Sequence, residues 1–215
     1  MRNIQTILIA ALITISGIAN AQDAKAKAIL DKVSNKTRQY TTITSDFTFT
    51  LEDKAADLKQ TQEGMIKMKG QKYYIKLGDN QIYSDGETRW TYNEDMNEVY
   101  IDFAEGGEDA LNPSKLYTVW ETGFKNYYEK EMVENGRTYD VIKLIPTDPA
   151  DKTFHTIKVY IDQAKEEIGK VEIFGKQGDN YTYVVKSFKT NAEYGSETFV
   201  FDKAAHPGSE VIDNR

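Results

Sequence analysis

The spacing of apolar residues changes period twice along the chain. From Asp23 to about Tyr40 the apolar residues Ile29, Leu30, Val33 and Tyr40 recur at helical spacing in a run rich in Ala and Lys. That pattern predicts an amphipathic helix with Asp23 as its N-cap. From Ile43 the period falls to two. Phe47, Phe49 and Leu51 alternate with Thr48 and Thr50, Tyr73, Ile75 and Leu77 with Tyr74 and Lys76, Trp90 and Tyr92 with Arg89 and Thr91, and Val99, Ile101 and Phe103 with Tyr100 and Asp102. Each run reads as a strand with one apolar face. Gly78-Asp79-Asn80 and the longer Asn93–Asn97 stretch mark turns, and Asp85-Gly86 reads as a type I′ hairpin turn.

The alternation then breaks. Glu105-Gly106-Gly107-Glu108-Asp109 is a polar linker, and Asn112-Pro113 is a helix start with Asn as N-cap and Pro at the first helical position. Leu116, Val119, Trp120 and Phe124 follow at helical spacing, predicting a short apolar helix over Asn112–Phe124. Strands resume near Tyr127: Asn135-Gly136 joins Tyr128–Val133 to Thr138–Ile145, Ile157, Val159 and Ile161 alternate with polar neighbours, and Ile168–Phe174, Tyr181–Phe188 and Glu197–Phe201 complete the series. The expected class is α+β, mostly β: a single, mostly antiparallel sheet of about eleven strands, curled into a barrel or part of one, with two helices. No linker forces a boundary, so 22–215 reads as one domain. A closed sheet of ~11 strands would enclose more space than one layer of side chains fills. The apolar helix is the natural plug or lid, unless a ligand enters.

The first residues carry export signals. Arg2 supplies a positive n-region, Ile7–Ile13 opens an apolar stretch, and Ala19-Asn20-Ala21 is an A-x-A cleavage site, so 1–21 reads as a cleaved signal peptide. The net charge of −7 disfavours a nucleic-acid partner, which requires a basic face. The absence of cysteine removes disulfides, thiolate metal sites and thiol nucleophiles, and fits a bacterial envelope. Only His155 and His206 are available as imidazoles. The chain contains no G-x-S-x-G, P-loop, H-E-x-x-H or G-x-G-x-x-G motif. Carboxylate pairs such as Glu105/Glu108 and Glu166/Glu167 fall in predicted turns, and Asp109, Asp148 and Asp151 lack calcium-loop spacing. No catalytic residue, metal or cofactor is expected.

Several runs together resemble the LolA type of outer-membrane lipoprotein carrier. They are Leu30-Asp31-Lys32-Val33-Ser34, Asp46-Phe47-Thr48-Phe49, Gly64 opening the second strand, and Tyr83–Asn93, whose S-D-G-x-x-x-W-x-Y-N core is the most specific piece. Asn112–Leu116 fits the family's lid region, and Phe199–Asp202 with Pro207-Gly208 and Val211–Asp213 fits its C-terminal strand and tail. The resemblance implies an unclosed barrel with a helical lid over a hydrophobic cavity. It also implies a periplasmic, monomeric carrier that takes acylated lipoproteins from an inner-membrane ATP-driven release complex and passes them to an outer-membrane acceptor. One departure stands out. Many members carry Arg-Pro after the second strand, the Arg tying lid to barrel; here the stretch reads Met68-Lys69-Gly70-Gln71, leaving Lys69 as a partial substitute.

On this reading the acyl cavity is lined by Phe47, Phe49, Ile66, Met68, Ile75, Trp90, Tyr92, Val99, Ile101, Ile157, Val159, Ile173, Tyr183 and Phe201. Period-two alternation assigns a face without saying which face is inner. Leu116, Val119, Trp120 and Phe124 are expected to form the lid and to occupy the empty cavity. Two other readings stay open: an envelope protein of the same fold that binds another lipid or glycolipid or senses envelope stress, and an enzyme.

Overall fold

The computed structural model describes residues 23–104, 119–150 and 152–215. The expected signal peptide, the expected Glu105–Asp109 linker, Asp151 and the first part of the expected lid, Leu116 included, lie outside them.

Residues 23–37 form helix α1. Ala26, Leu30 and Val33, at i, i+4 and i+7, are buried along one stripe, with Ile29 packed beside them. Asp23 is itself helical, and its Oδ1 finds no donor among the described residues, so the expected cap is not formed there. Tyr40 lies beyond the helix and meets Phe188 edge-on at 6.2 Å.

Among the described residues twelve strands follow, against about eleven expected: β1 (Ile43–Asp53), β2 (Leu58–Lys69), β3 (Lys72–Leu77), β4 (Asn80–Ser84), β5 (Thr88–Asn93), β6 (Glu98–Phe103), β7 (Phe124–Glu134), β8 (Arg137–Pro146), β9 (Phe154–Asp162), β10 (Glu167–Gly175), β11 (Asp179–Thr190) and β12 (Glu210–Asp213). They make one sheet in the order β12-β6-β5-β4-β3-β2-β1-β11-β10-β9-β8-β7. The ends β12 and β7 do not meet, so the sheet stays open. Every pairing is antiparallel except β12 with β6, which is parallel. The C-terminal strand is Glu210–Asp213; the expected strand Glu197–Phe201 is instead a 3₁₀ turn at Ser196–Phe199 that buries Phe199 completely.

Two further positions differ from expectation, one at a turn and one within a strand. At Asn135-Gly136 both residues have positive φ (51° and 74°), which is the type I′ pattern. At Asp85-Gly86 only Gly86 does (99°), and the Asp85 carboxylate instead accepts from the Glu87 and Thr88 amides at 2.9 and 2.8 Å. Gly64 does not open a strand. It sits mid-β2, opposite Phe47, whose ring occupies the place a Cβ would take.

The sheet has two differently covered faces. On the concave face α1 packs over β8–β10, where Ala26, Leu30 and Val33 join Ile142, Leu144, Ile157, Val159 and Ile161 in the main core. On the convex face the segment after β11 lies across β3–β6. Tyr83 and Tyr92 face Phe201 at 6.0 and 5.3 Å, and His206 packs at 4.2 Å from Tyr92 and 4.9 Å from Phe201. Tyr74 and Tyr83 both donate to Gln81 Oε1, at 3.0 and 2.7 Å, while Gln81 donates to Glu94. Burial, with Tyr74 and Glu94 beside it, pushes the Tyr83 phenol up to about 12.

Two outcomes follow. Gly64→Val drives a side chain into the Phe47 ring and destabilises by about 1–3 kcal/mol, with Gly64→Val/Phe47→Leu recovering part of the loss; strictly additive urea midpoints would contradict that contact. Because Tyr83 keeps its proton in the fold while an unfolded tyrosine loses it near its ordinary 10, its contribution is intact below pH 10 and is lost as pH rises to about 12. Thermal melts across that window should show a shallower decline for Tyr83→Phe than for the unsubstituted protein.

Candidate functional site

Register places the apolar rows of the concave face side by side. Ser45, Ile66, Ile75, Ile82 and Thr91 are successive cross-strand partners from β1 to β5. Ile168, Val171 and Ile173 of β10, with Tyr183 and Val185 of β11, face them because the sheet curls. Between the two walls lies a cavity of about 360 Å³, completed by Phe47, Met68, Leu77 and Asn80. It occupies the part of the concave face formed by β1–β5, β10 and β11, and no described residue of α1 lines it. Its size falls at the small end of the ~300–1,000 Å³ typical of ligand pockets. No lining residue carries a formal charge; Ser45, Asn80, Thr91 and the Tyr183 phenol are its polar groups. Burial raises the Tyr183 pKa, holding it neutral. Phe47 and Tyr183 pack at 5.9 Å across the β1–β11 seam.

Six of the residues expected at the cavity line it: Phe47, Ile66, Met68, Ile75, Ile173 and Tyr183. Ile157 and Val159 share the concave face but are sealed beneath α1 in the core. Phe49 lies further along β1, stacked on Tyr181 at 6.1 Å and tilted against Tyr183 at 5.1 Å. Trp90, Tyr92, Val99, Ile101 and Phe201 are on the other side. In β5 it is Thr91 that faces the cavity, so its neighbours Trp90 and Tyr92, and their partners Ile101 and Val99, point to the convex face under the C-terminal segment. The face rich in large apolar residues is not the inner one there, because the tail supplies a second apolar layer outside. Leu77, Ile82, Ile168, Val171 and Val185 were missed. Propagating the parity of Phe47 across the register would have found Ile82 beside the more conspicuous Tyr83.

The expected lid is also placed differently. Val119 and Trp120 lie in a 3₁₀ turn over Val119–Glu121, and Phe124 begins β7, stacked on Phe154 at 6.2 Å. None of the three lines the cavity. Trp120 is buried against α1, and its Nε1 donates to Ser34 Oγ at 3.0 Å. Arg38 donates to both Glu121 carboxylate oxygens at 2.5 Å, a forked ion pair tying the end of α1 to the same turn. Lys69 is not an equivalent tie: it points to the convex face and donates to the Tyr194 carbonyl at 2.9 Å.

The candidate catalytic groups are scattered. His155 stacks on Phe174 at 6.3 Å and bonds Thr156, and His206 belongs to the convex aromatic cluster. Glu166 and Glu167 sit at the β9–β10 turn, where they meet Lys32 and Lys36 of α1. Among the described residues no cluster of His, Cys, Asp or Glu is arranged to hold a metal ion.

Comparison with known proteins gives four further findings. A structure of an uncharacterized conserved protein from Thermus thermophilus superposes with a TM-score of 0.58 at 12% identity, covering 88% of this chain and 99% of that one, so the fold is shared. A LolA superfamily protein from Nitrosomonas europaea aligns at 11% identity and a TM-score of 0.45, over 83% of this chain and 98% of that one. A ribosomal RNA small subunit methyltransferase H from Buchnera aphidicola is 27% identical over 92 residues; that match takes in 39% of this chain and about a quarter (27%) of the methyltransferase, too little of either to relate their activities. The family model described as outer membrane lipoprotein carrier protein LolA matches residues 38–202, which span both cavity walls and the convex aromatic layer as far as Phe201. The chain belongs to the LolA family.

Proposed function

We propose that this protein is an exported, non-catalytic carrier that shelters the acyl chains of lipoproteins in its concave cavity and moves them from the inner to the outer membrane. The observation that carries this reading is an uncharged hollow of about 360 Å³ between the two curled walls of an open sheet. Apolar surface there gains stability from any chain that fills it, and no buried charge has to be matched. A fully enclosed chain of about sixteen carbons would be held by roughly 12 kcal/mol at ~0.8 kcal/mol per CH₂, too tightly to hand over. A carrier must therefore enclose only part of its cargo, and a small hollow in an unclosed sheet suits partial enclosure. The cargo-release complex and the acceptor would be membrane partners, the chain itself acting as a monomer in the periplasm after loss of residues 1–21.

Native mass spectrometry of protein purified from its own envelope tests the role: co-purified acylated protein supports the carrier, and free lipid or glycolipid alone overturns it in favour of an envelope lipid binder. Depletion should strip lipoproteins from the outer membrane. For the cavity itself, Ile82→Trp fills the hollow from β4 and should weaken binding of a fluorescent fatty acid by about tenfold or more while the fold persists. Unchanged affinity would place the acyl site elsewhere.

A further inference from the structure

The outer half of β2 is an open edge adjoining the cavity wall. β1 and β2 pair along their whole length, from Ile43↔Met68 to Asp53↔Leu58, but β3 pairs only with Gly64–Lys69. Residues 58–63 thus have β1 on one side and no other described strand on the other, and all of them are exposed. The edge starts where the cavity wall stops: Gly64 lies under the Phe47 ring and pairs with Leu77, and both Phe47 and Leu77 line the cavity.

Register fixes which groups face outward. The two-residue turn Gly70-Gln71 makes Lys69↔Lys72 a hydrogen-bonded pair. No bulge interrupts either ladder of β2, so alternation turns the N–H and C=O of Lys59, Thr61 and Glu63 to the open side and those of Leu58, Gln60 and Gln62 to β1. Side chains leave that edge accessible: Lys59 pairs with Glu52 and Glu63 with Lys186, while Thr61 Oγ1 meets Thr50 Oγ1 at 3.0 Å.

We propose that this edge is a strand-docking site for the polypeptide of the cargo. This rests on the carrier reading above. A chain whose lipid anchor lies in the cavity and that leaves past Phe47 and Leu77 in an extended form runs onto a row of backbone groups with no described partner strand. Main-chain pairing recognises any extended peptide, so one carrier serves cargoes of unrelated sequence. The cavity holds the lipid and the β2 edge holds its tether.

The test uses the mature chain with three probes: palmitate, an N-palmitoyl peptide about six residues long, and its twin with alternate amides N-methylated. In the unsubstituted protein the peptide should bind about tenfold more tightly than palmitate, and the N-methylated twin should lose that gain. Thr61→Pro removes one outward N–H without touching the β1 ladder, a placement edge strands accept; it should abolish the gain and leave palmitate unaffected, while Thr61→Val, which removes only the hydroxyl contact, should keep it. Slowed amide exchange at Lys59, Thr61 and Glu63 on adding the acyl peptide gives the same answer without substitution. Palmitate binding with no gain from the peptide, or a gain that survives Thr61→Pro with no slowed exchange, overturns the edge proposal alone. Self-association that Thr61→Pro abolishes would assign the edge to a second copy and overturn it too. Failure of palmitate itself to bind would overturn the carrier reading and the edge proposal with it.

Discussion

A curled sheet offers more concave apolar surface than one helix can cover. That mismatch governs this molecule. α1 buries its single stripe of Ala26, Leu30 and Val33 over β8–β10, and the forked Arg38–Glu121 pair and the Trp120–Ser34 hydrogen bond hold the chain around it in place. The concave surface contributed by β1–β5, β11 and part of β10 lines the cavity. Its side chains enclose a cavity because they belong to two walls that face each other across a gap. Stability and capacity are thereby divided between the two halves of one sheet.

The main features of this division were legible in the sequence. Period-two alternation marked most strands, helical spacing marked α1, and Phe47, Ile66, Met68, Ile75, Ile173 and Tyr183 were placed on the cavity face. The failures share a cause. Alternation tells which residues share a face but not what lies opposite that face. In β5 and β6 the larger apolar residues face outward, because a C-terminal segment with little periodicity of its own folds back over them. Phe201 looked like the end of a strand, yet it belongs to that covering layer. The helical spacing of Val119, Trp120 and Phe124 had a similar ambiguity: the first two serve a 3₁₀ turn against α1, and Phe124 already belongs to β7.

The convex layer makes the protein a two-core structure along part of its sheet. Val99 is fully buried on that face, and Lys69 reaches Tyr194 across it. The wall between cavity and aromatic layer is one strand thick. Ile82 and Tyr83 are adjacent residues of β4, one facing the hollow and the other the Gln81 network. Displacement of either layer is therefore felt through the same backbone.

The central seam of the sheet pairs β1 with β11, from Ile43↔Thr190 to Asp53↔Asp179. The first strand emerges early in synthesis, yet its second neighbour is among the last to be made. Closing so long a loop is entropically slow, and until it closes neither wall has its partner. The nascent polypeptide thus remains without a finished core for most of its elongation, its two walls held apart in time as well as in sequence.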